Sequence, residues 1–312
     1  MQLVLPGALP DPGMARELAP HLVRAAPTLA GWFERARAKQ TPADPRISGC
    51  TPFEQWRLQA HGFEPQADQN VCAGLGPLLY DLDIDQNTPV WLAELVHVAP
   101  TQNGASLLPA SALGISSDDG AALHESARSL FDGTGFALHA GNSVHWRIDL
   151  PPDYTPQCAS TALISITSVN DWWPQDAQAR PWRRLVNELQ MLWFDHPVNL
   201  RRQENGLPSI NSLWLFGGAR RTQFTRTVPP DTQVHDILLD PFNRQDWGLW
   251  ISSLEQLEAT VFKPALTTGS TSQLVLTGQN RFVELAPAGL SRWRHWLPGS
   301  REAWRQWWSP QN

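Results

Sequence analysis

The residues best suited to hold a metal or to act as nucleophiles are nine histidines and three cysteines, and their spacing forms no standard arrangement. Cys50, Cys72 and Cys158 stand far apart, with no Cys-x-x-Cys pair and no neighbouring His, so neither zinc-site spacing nor a disulfide framework is indicated. Pairing two of them would leave one over, and reduced thiols suit a cytosolic protein. His124-Glu125 lacks the second His, four residues on, that would put two imidazoles on one helical face. A phosphate loop needs consecutive backbone amides backed by a Lys, and no Gly-Lys-Ser/Thr occurs. Gly74-Leu75-Gly76 and Gly133-Thr134-Gly135 lack the third Gly of a dinucleotide turn and read as turns. There is no Gly-x-Ser-x-Gly elbow. The histidines read as structural residues, and no cofactor is expected.

The carboxy-terminal region is unusual in another way. Trp293, Trp296, Trp304, Trp307 and Trp308 are interleaved with Arg292, Arg294, Arg301 and Arg305. Helical spacing over 301–308 puts Trp304, Trp307 and Trp308 on one face and Arg301 and Arg305 on its flank. Such a face suits packing onto the core, docking a protein partner, or lying at a membrane interface. Core packing carries the most weight, a protein partner is the next candidate, and the segment is short and Leu-poor for lipid.

The elements that would position these residues alternate. Gln2 to Leu5 reads as a buried first strand stopped by Pro6-Gly7, and 14–39 as helical, divided by Pro20 and Pro27. A helix is expected near Phe53 to Ala60, and strands at Val90 to Val98, Val144 to Leu150, Ala162 to Val169, Ile210 to Phe216 and Gln273 to Thr277. Asn103-Gly104 marks a turn. Ser116-Ser117-Asp118-Asp119 opens a helix over Ala121 to Phe131, with acids beside its free amides. Trp182, Leu185, Val186, Leu189 and Trp193 recur at helical spacing over 182–194, and Leu249 to Phe262 is also helical. Strands alternating with helices imply a layered α/β architecture. With 312 residues, 42% hydrophobic and 17% charged, the chain can bury a large core. A net charge of −6 argues against a general nucleic-acid binder. No run approaches the ~18 consecutive apolar residues of a membrane span, and the apolar start ends too early for a signal peptide, so a cytoplasmic protein is expected.

The segment Leu185 to Ala219 resembles the archaeal-type cofactor-independent phosphoglycerate mutases of the alkaline phosphatase superfamily. It carries His196-Pro197-Val198-Asn199, Arg202, Gly206-Leu207-Pro208, Asn211 and Gly217-Gly218 in the order of that family. Gly62-Phe63-Glu64-Pro65, Gly76-Pro77-Leu78 through Val98, and Ser116 to Leu130 extend the resemblance. Overall the chain looks most like a proteobacterial group labelled "regulatory protein, RpfE type". The resemblance implies an alkaline phosphatase-like core sheet flanked by helices, formed by 1–74 and 216–312, with an inserted α+β region at 75–215.

Carried over residue by residue, the resemblance also implies a lost active site. The family's metal-binding Asp after the first strand falls at Pro6, and its nucleophilic Ser near Phe53. The late Thr-Gly-Asp-His that supplies metal ligands reads Thr277-Gly278-Gln279-Asn280, and two arginines fall at Leu92 and Phe216. Phosphoryl transfer on two metals needs carboxylates and imidazoles to hold the cations, and amides are poor substitutes. The expectation is therefore a non-catalytic, mutase-like protein with no catalytic metal, binding a ligand or protein partner in a regulatory role. The alternative is an active metal-dependent mutase or phosphatase whose ligands lie elsewhere. His196, Asn199, Arg202 and Asn211 form a candidate site for a small anion, because Arg and amide groups beside a Gly-rich turn suit phosphate or carboxylate. Equally, they would cap a helix and fix the turn after it.

Overall fold

The computed structural model describes residues 1–66, 68–102, 104–267, 273–287 and 303–310. Asn103, Arg292, Trp293, Arg294, Trp296 and Arg301 lie outside these residues. Within them run strands β1 (Gln2–Leu9), β2 (Ala36–Pro42), β3 (Val90–Thr101), β4 (Gly104–Leu108), β5 (Ala137–His139), β6 (His145–Asp149), β7 (Ser212–Ala219), β8 (Thr232–Val234), β9 (Gln273–Gly278) and β10 (Arg281–Pro287). The architecture is mixed α/β, with sheets flanked by helices. No helix among the described residues is long and apolar enough to cross a membrane.

The chain divides into two compact units, one of Met1–Pro45 with Thr227–Asn312 and the other of Arg46–Arg226. The divisions fall at 45/46 and 226/227, whereas the sequence suggested 74/75 and 215/216. The reason lies in packing: Cys50, Leu58, Phe63 and Cys72 share a core with Val90, Leu92 and Phe216, so the stretch from Arg46 belongs with the second unit.

In the first unit the strand order is β2-β10-β9-β1-β8. β1 runs parallel to β8 and β9, and β10 runs antiparallel to β9 and β2. Leu3, Leu5, Leu274 and Leu276 pack against Leu18 and Leu22 of the helix Pro12–Ala25, and against Trp250 and Leu254 of the helix Trp247–Leu257. Two expectations are corrected here. Residues 14–39 do divide at Pro27, which opens a second helix, Pro27–Arg35, but Pro20 lies inside the first helix, and Ala36–Pro42 is a polar edge strand paired with β10 rather than helix. Nor does β1 stop at Pro6-Gly7. Pro6 has no N–H for the ladder, and Gly7 sits at φ +76°, so the register with β9 slips between Leu5 and Leu9. The strand then continues to Leu9, and the Trp250 indole donates to the Gly7 carbonyl at 2.9 Å.

The carboxy-terminal tryptophans that are described belong to this core. Trp304, Trp307 and Trp308 are buried, all three ring systems lie 5.0–5.6 Å from Phe33, and the Trp308 indole donates to Ala15 O at 3.2 Å. These three are therefore closed to a docking partner.

In the second unit β3 pairs antiparallel with β4, β6 and β7, and β5 pairs with β6. Alternation along β3 and β7 sends side chains to two cores. Trp91, Ala93, Leu95, Leu213 and Leu215 meet the helices Ser117–Phe131 and Arg180–Phe194, while Val90, Leu92, Val96, Trp214 and Phe216 meet Leu58, Cys72 and Leu163. The strand expected over Ala162 to Val169 is instead a short helix, Thr161–Ile164, because the Ser160 hydroxyl caps it by accepting from Leu163 N at 3.2 Å. At Gly217-Gly218 the β3–β7 register slips, with φ values of +103° and +106°. A Cβ at Gly76 would overlap Val90 O, so the helix Leu75–Leu79 lies with its backbone directly on this bulge.

Candidate ligand site

His196, Asn199, Arg202 and Asn211 turn their polar atoms toward the main chain. His196 caps the helix Pro197–Glu204 by accepting from Val198 N at 3.2 Å; burial and then Arg201 hold its imidazole below the usual pKa. Asn199 is 4% exposed. Its Nδ2 donates to Trp193 O and Ile210 O at 2.8 Å each, and its Oδ1 accepts from Ile210 N at 2.7 Å. Arg202, 3% exposed, donates from Nε to Pro208 O at 2.8 Å and from Nη2 to Leu113 O at 2.6 Å. Asn211 accepts from Val98 N and donates to Val98 O, extending the sheet past the end of β7. These bonds bind helix, turn and strand to one another.

The positions where the resemblance expects catalytic groups hold other chemistry. In the first unit Gln279 and Asn280 lie in the turn of the β9–β10 hairpin, at the middle of the four residues enclosed by the Thr277–Phe282 pair, and Asn280 O accepts from Ala43 N at 2.8 Å. Pro6 lies within β1. Asp11, just past the carboxyl end of that strand, accepts at Oδ1 from Gly13 N and Met14 N and so caps the following helix. In the second unit Phe53 stacks on Trp56 at 6.2 Å, with the Arg57 guanidinium 5.8 Å from its ring. Leu92 and Phe216 are direct register partners on β3 and β7, both buried. Among the described residues no three His, Cys, Asp or Glu side chains converge as a group able to hold a metal. In the first unit, the amides of Gln279 and Asn280 and the ring of Pro6 supply no charged donor for a divalent cation at those positions.

Sequence reasoning missed a convergence in the second unit. Cys50, Cys72 and Cys158 share one apolar core, and all are free thiols. Burial pushes each thiol up, Cys158 to about 12, and Cys72 also feels Cys50, Glu54 and Cys158. Protonated, and with Cys50 and Cys72 fully buried, they are poor nucleophiles. Glu94, buried in β3, is saturated by Ala110 N, Thr161 Oγ1 and His145 Nε2. Glu54 Oε2 accepts from Thr51 N, Thr51 Oγ1 and Ser160 Oγ at 2.8, 2.9 and 2.6 Å. Desolvation outweighs these bonds and raises the Glu54 pKa. A raised folded-state pKa means that folding favours the protonated acid, so wild-type stability falls as pH rises from the ordinary Glu value toward the folded one. Glu54→Gln does not titrate. Its stability relative to wild type is expected to increase from pH 4 to pH 7, read by urea unfolding at each pH.

One cleft in the second unit has room for a ligand. It encloses about 200 Å³ beside the Gly217-Gly218 bulge. Its walls come from the loop carrying Gln66, Asp68, Gln69 and Asn70, from Trp91, from Thr155–Gln157 and from Arg220. The walls are cross-tied: Gln69 Nε2 donates to Gly218 O at 2.9 Å, Gln223 Nε2 to Gln69 Oε1 at 2.8 Å, and Arg220 Nη1 to Gln66 Oε1 at 3.2 Å. The lining offers amides, the Thr155 hydroxyl, one guanidinium, one carboxylate and an indole, but no His, Cys or Ser. Such a surface can hold a small hydroxylated or singly anionic molecule. No local motif announces it, because four separate segments build it.

No protein-family model matches the chain. Over 168 residues, 51% of the chain, it is 25% identical to a probable 2,3-bisphosphoglycerate-independent phosphoglycerate mutase of Geobacter sulfurreducens. The similarity is distant, and it spans 40% of that protein's length. Among solved structures, the cofactor-independent phosphoglycerate mutase from Thermoplasma acidophilum overlaps 93% of this chain and 89% of its own, at a TM-score of 0.36 and 14% identity. The PH0037 protein from Pyrococcus horikoshii overlaps 93% of this chain and 88% of its own, at a TM-score of 0.46 and 13% identity. At these scores the overlap locates no site.

Proposed function

We propose that this chain is a non-catalytic, phosphoglycerate mutase-like protein that binds a small ligand in a regulatory role, with the cleft at Gly217-Gly218 and Arg220 as its binding site. The observation that carries this reading is the Leu92–Phe216 pair. Two positions at which the resemblance expects arginines face each other across β3 and β7, and both are buried and apolar. Restoring one charge there would bury it unpaired, so the two changes support each other. The amide turn at Gln279-Asn280 and the stacked Phe53 point the same way. Each oriented catalytic group is worth on the order of 10²–10⁴ in rate, so the joint loss of nucleophile and metals removes useful turnover.

The test is an assay with 3-phosphoglycerate and added Mn²⁺. No product above the blank is expected, and conversion at an ordinary enzyme's rate would overturn the reading. The alkaline phosphatase-like ancestry belongs to the same proposal.

A further inference from the structure

The outer face of the helix Arg180–Phe194 is built differently from its surroundings. Its inner face, Trp182, Leu185, Val186, Leu189 and Trp193, is buried. At about 100° per residue, Arg180, Arg184, Asn187, Met191 and Phe194 form a stripe on the opposite side, and Asp195 continues it. Met191 and Phe194 are 75% and 79% exposed, although an apolar inner face already docks the helix. Two large apolar side chains on a helix that needs no second apolar face mark a contact surface.

The stripe is polar in one direction. Its amino-terminal half carries Arg180 and Arg184, and its carboxy-terminal half carries Met191, Phe194 and Asp195. We infer that this face pairs with the same face of a second copy of this chain, the two helices lying antiparallel about a two-fold axis between Asn187 and Glu188. The helix's own sequence read backwards supplies what the stripe lacks. Arg180 falls opposite Asp195 of the second copy, Met191 opposite the aliphatic stem of Arg184, and Phe194 beside Pro181 with an arginine within reach of its ring. A two-fold axis makes each of these contacts twice. The Phe–guanidinium contact gains from the ring's negative face, and antiparallel alignment sets opposite helix-dipole ends together. Arg184 already leans on Glu188 at 2.7 Å, which holds its stem along the helix surface.

The test is sedimentation equilibrium of the full chain across a concentration series. Wild type is expected to dimerise reversibly. Met191→Glu with Phe194→Glu is expected to raise the dimer dissociation constant by about 30-fold or more, since it removes the apolar anchors of both helices. Both positions are exposed, so circular dichroism should show an unchanged fold. Arg180→Asp alone should weaken the dimer, and Arg180→Asp with Asp195→Arg should restore it, since the swap rebuilds the pair across the axis. A monomer at every concentration overturns the inference, and so does a dimer indifferent to the Glu pair. A monomer that instead co-sediments with anionic lipid vesicles would assign the face to a membrane surface and also overturn it.

Discussion

Asn199→Asp is expected to destabilise the Arg46–Arg226 unit by about 3–5 kcal/mol at pH 7, the range for a buried charge left without a partner. The change is isosteric, so packing is untouched and only hydrogen-bond polarity reverses. Nδ2 now donates to Trp193 O and Ile210 O, while an Asp oxygen would face both carbonyls as an acceptor. The Ile210 N–H bond to Oδ1 survives. Acid should relieve part of the loss, because a protonated Asp can again donate to one carbonyl; its folded-state pKa is raised, so stability returns as pH falls. Arg202→Leu should act in the same direction by orphaning Pro208 O and Leu113 O. Urea unfolding followed by Trp fluorescence measures both. Full stability in both variants would contradict the structural role of this segment and return it to the list of binding sites.

The second large effect belongs to Gly76. A side chain there has nowhere to go, since Val90 O and the Gly217 backbone occupy the space. Both neighbours are main chain held in the β3–β7 ladder, so neither can rotate aside. Gly76→Ala should cost about 3 kcal/mol, lowering the Tm of that unit by roughly 10 °C. It should also disturb the cleft, whose floor is the same bulge. Gly248→Ala is the control: it lies in the helix Trp247–Leu257, where its nearest neighbour would stand at 3.6 Å. That change should leave stability equal or higher by up to about 1 kcal/mol. Scanning calorimetry separates the two outcomes.

How far the fold could be read from sequence depended on whether the deciding force was local. The helix Arg180–Phe194 was legible because its buried face repeats at helical spacing over four turns. The helix Ser117–Phe131 was legible from its cap. By contrast, Ala36–Pro42 carries Arg37, Lys39 and Gln40 with no apolar alternation; only pairing with β10 makes it a strand. Ala162–Val169 is a short apolar run for which helix and strand are hard to distinguish, and the Ser160 cap decided it. Pro6 looked like a stop, yet a bulge carries β1 through it. The His196 to Asn211 segment could be picked out as residues, but the bonding of its side chains to Trp193, Ile210, Leu113 and Val98 depends on tertiary placement. The cleft could not be found at all, because Gln66, Trp91, Gln157 and Arg220 share no local pattern.

Metal stoichiometry tests the central claim most directly. Protein purified without chelator, equilibrated with excess Mn²⁺ and Zn²⁺, desalted and measured by plasma mass spectrometry should retain far less than one ion per chain. Retention of about two ions per chain, the complement of a two-metal phosphoryl-transfer centre, would contradict the account.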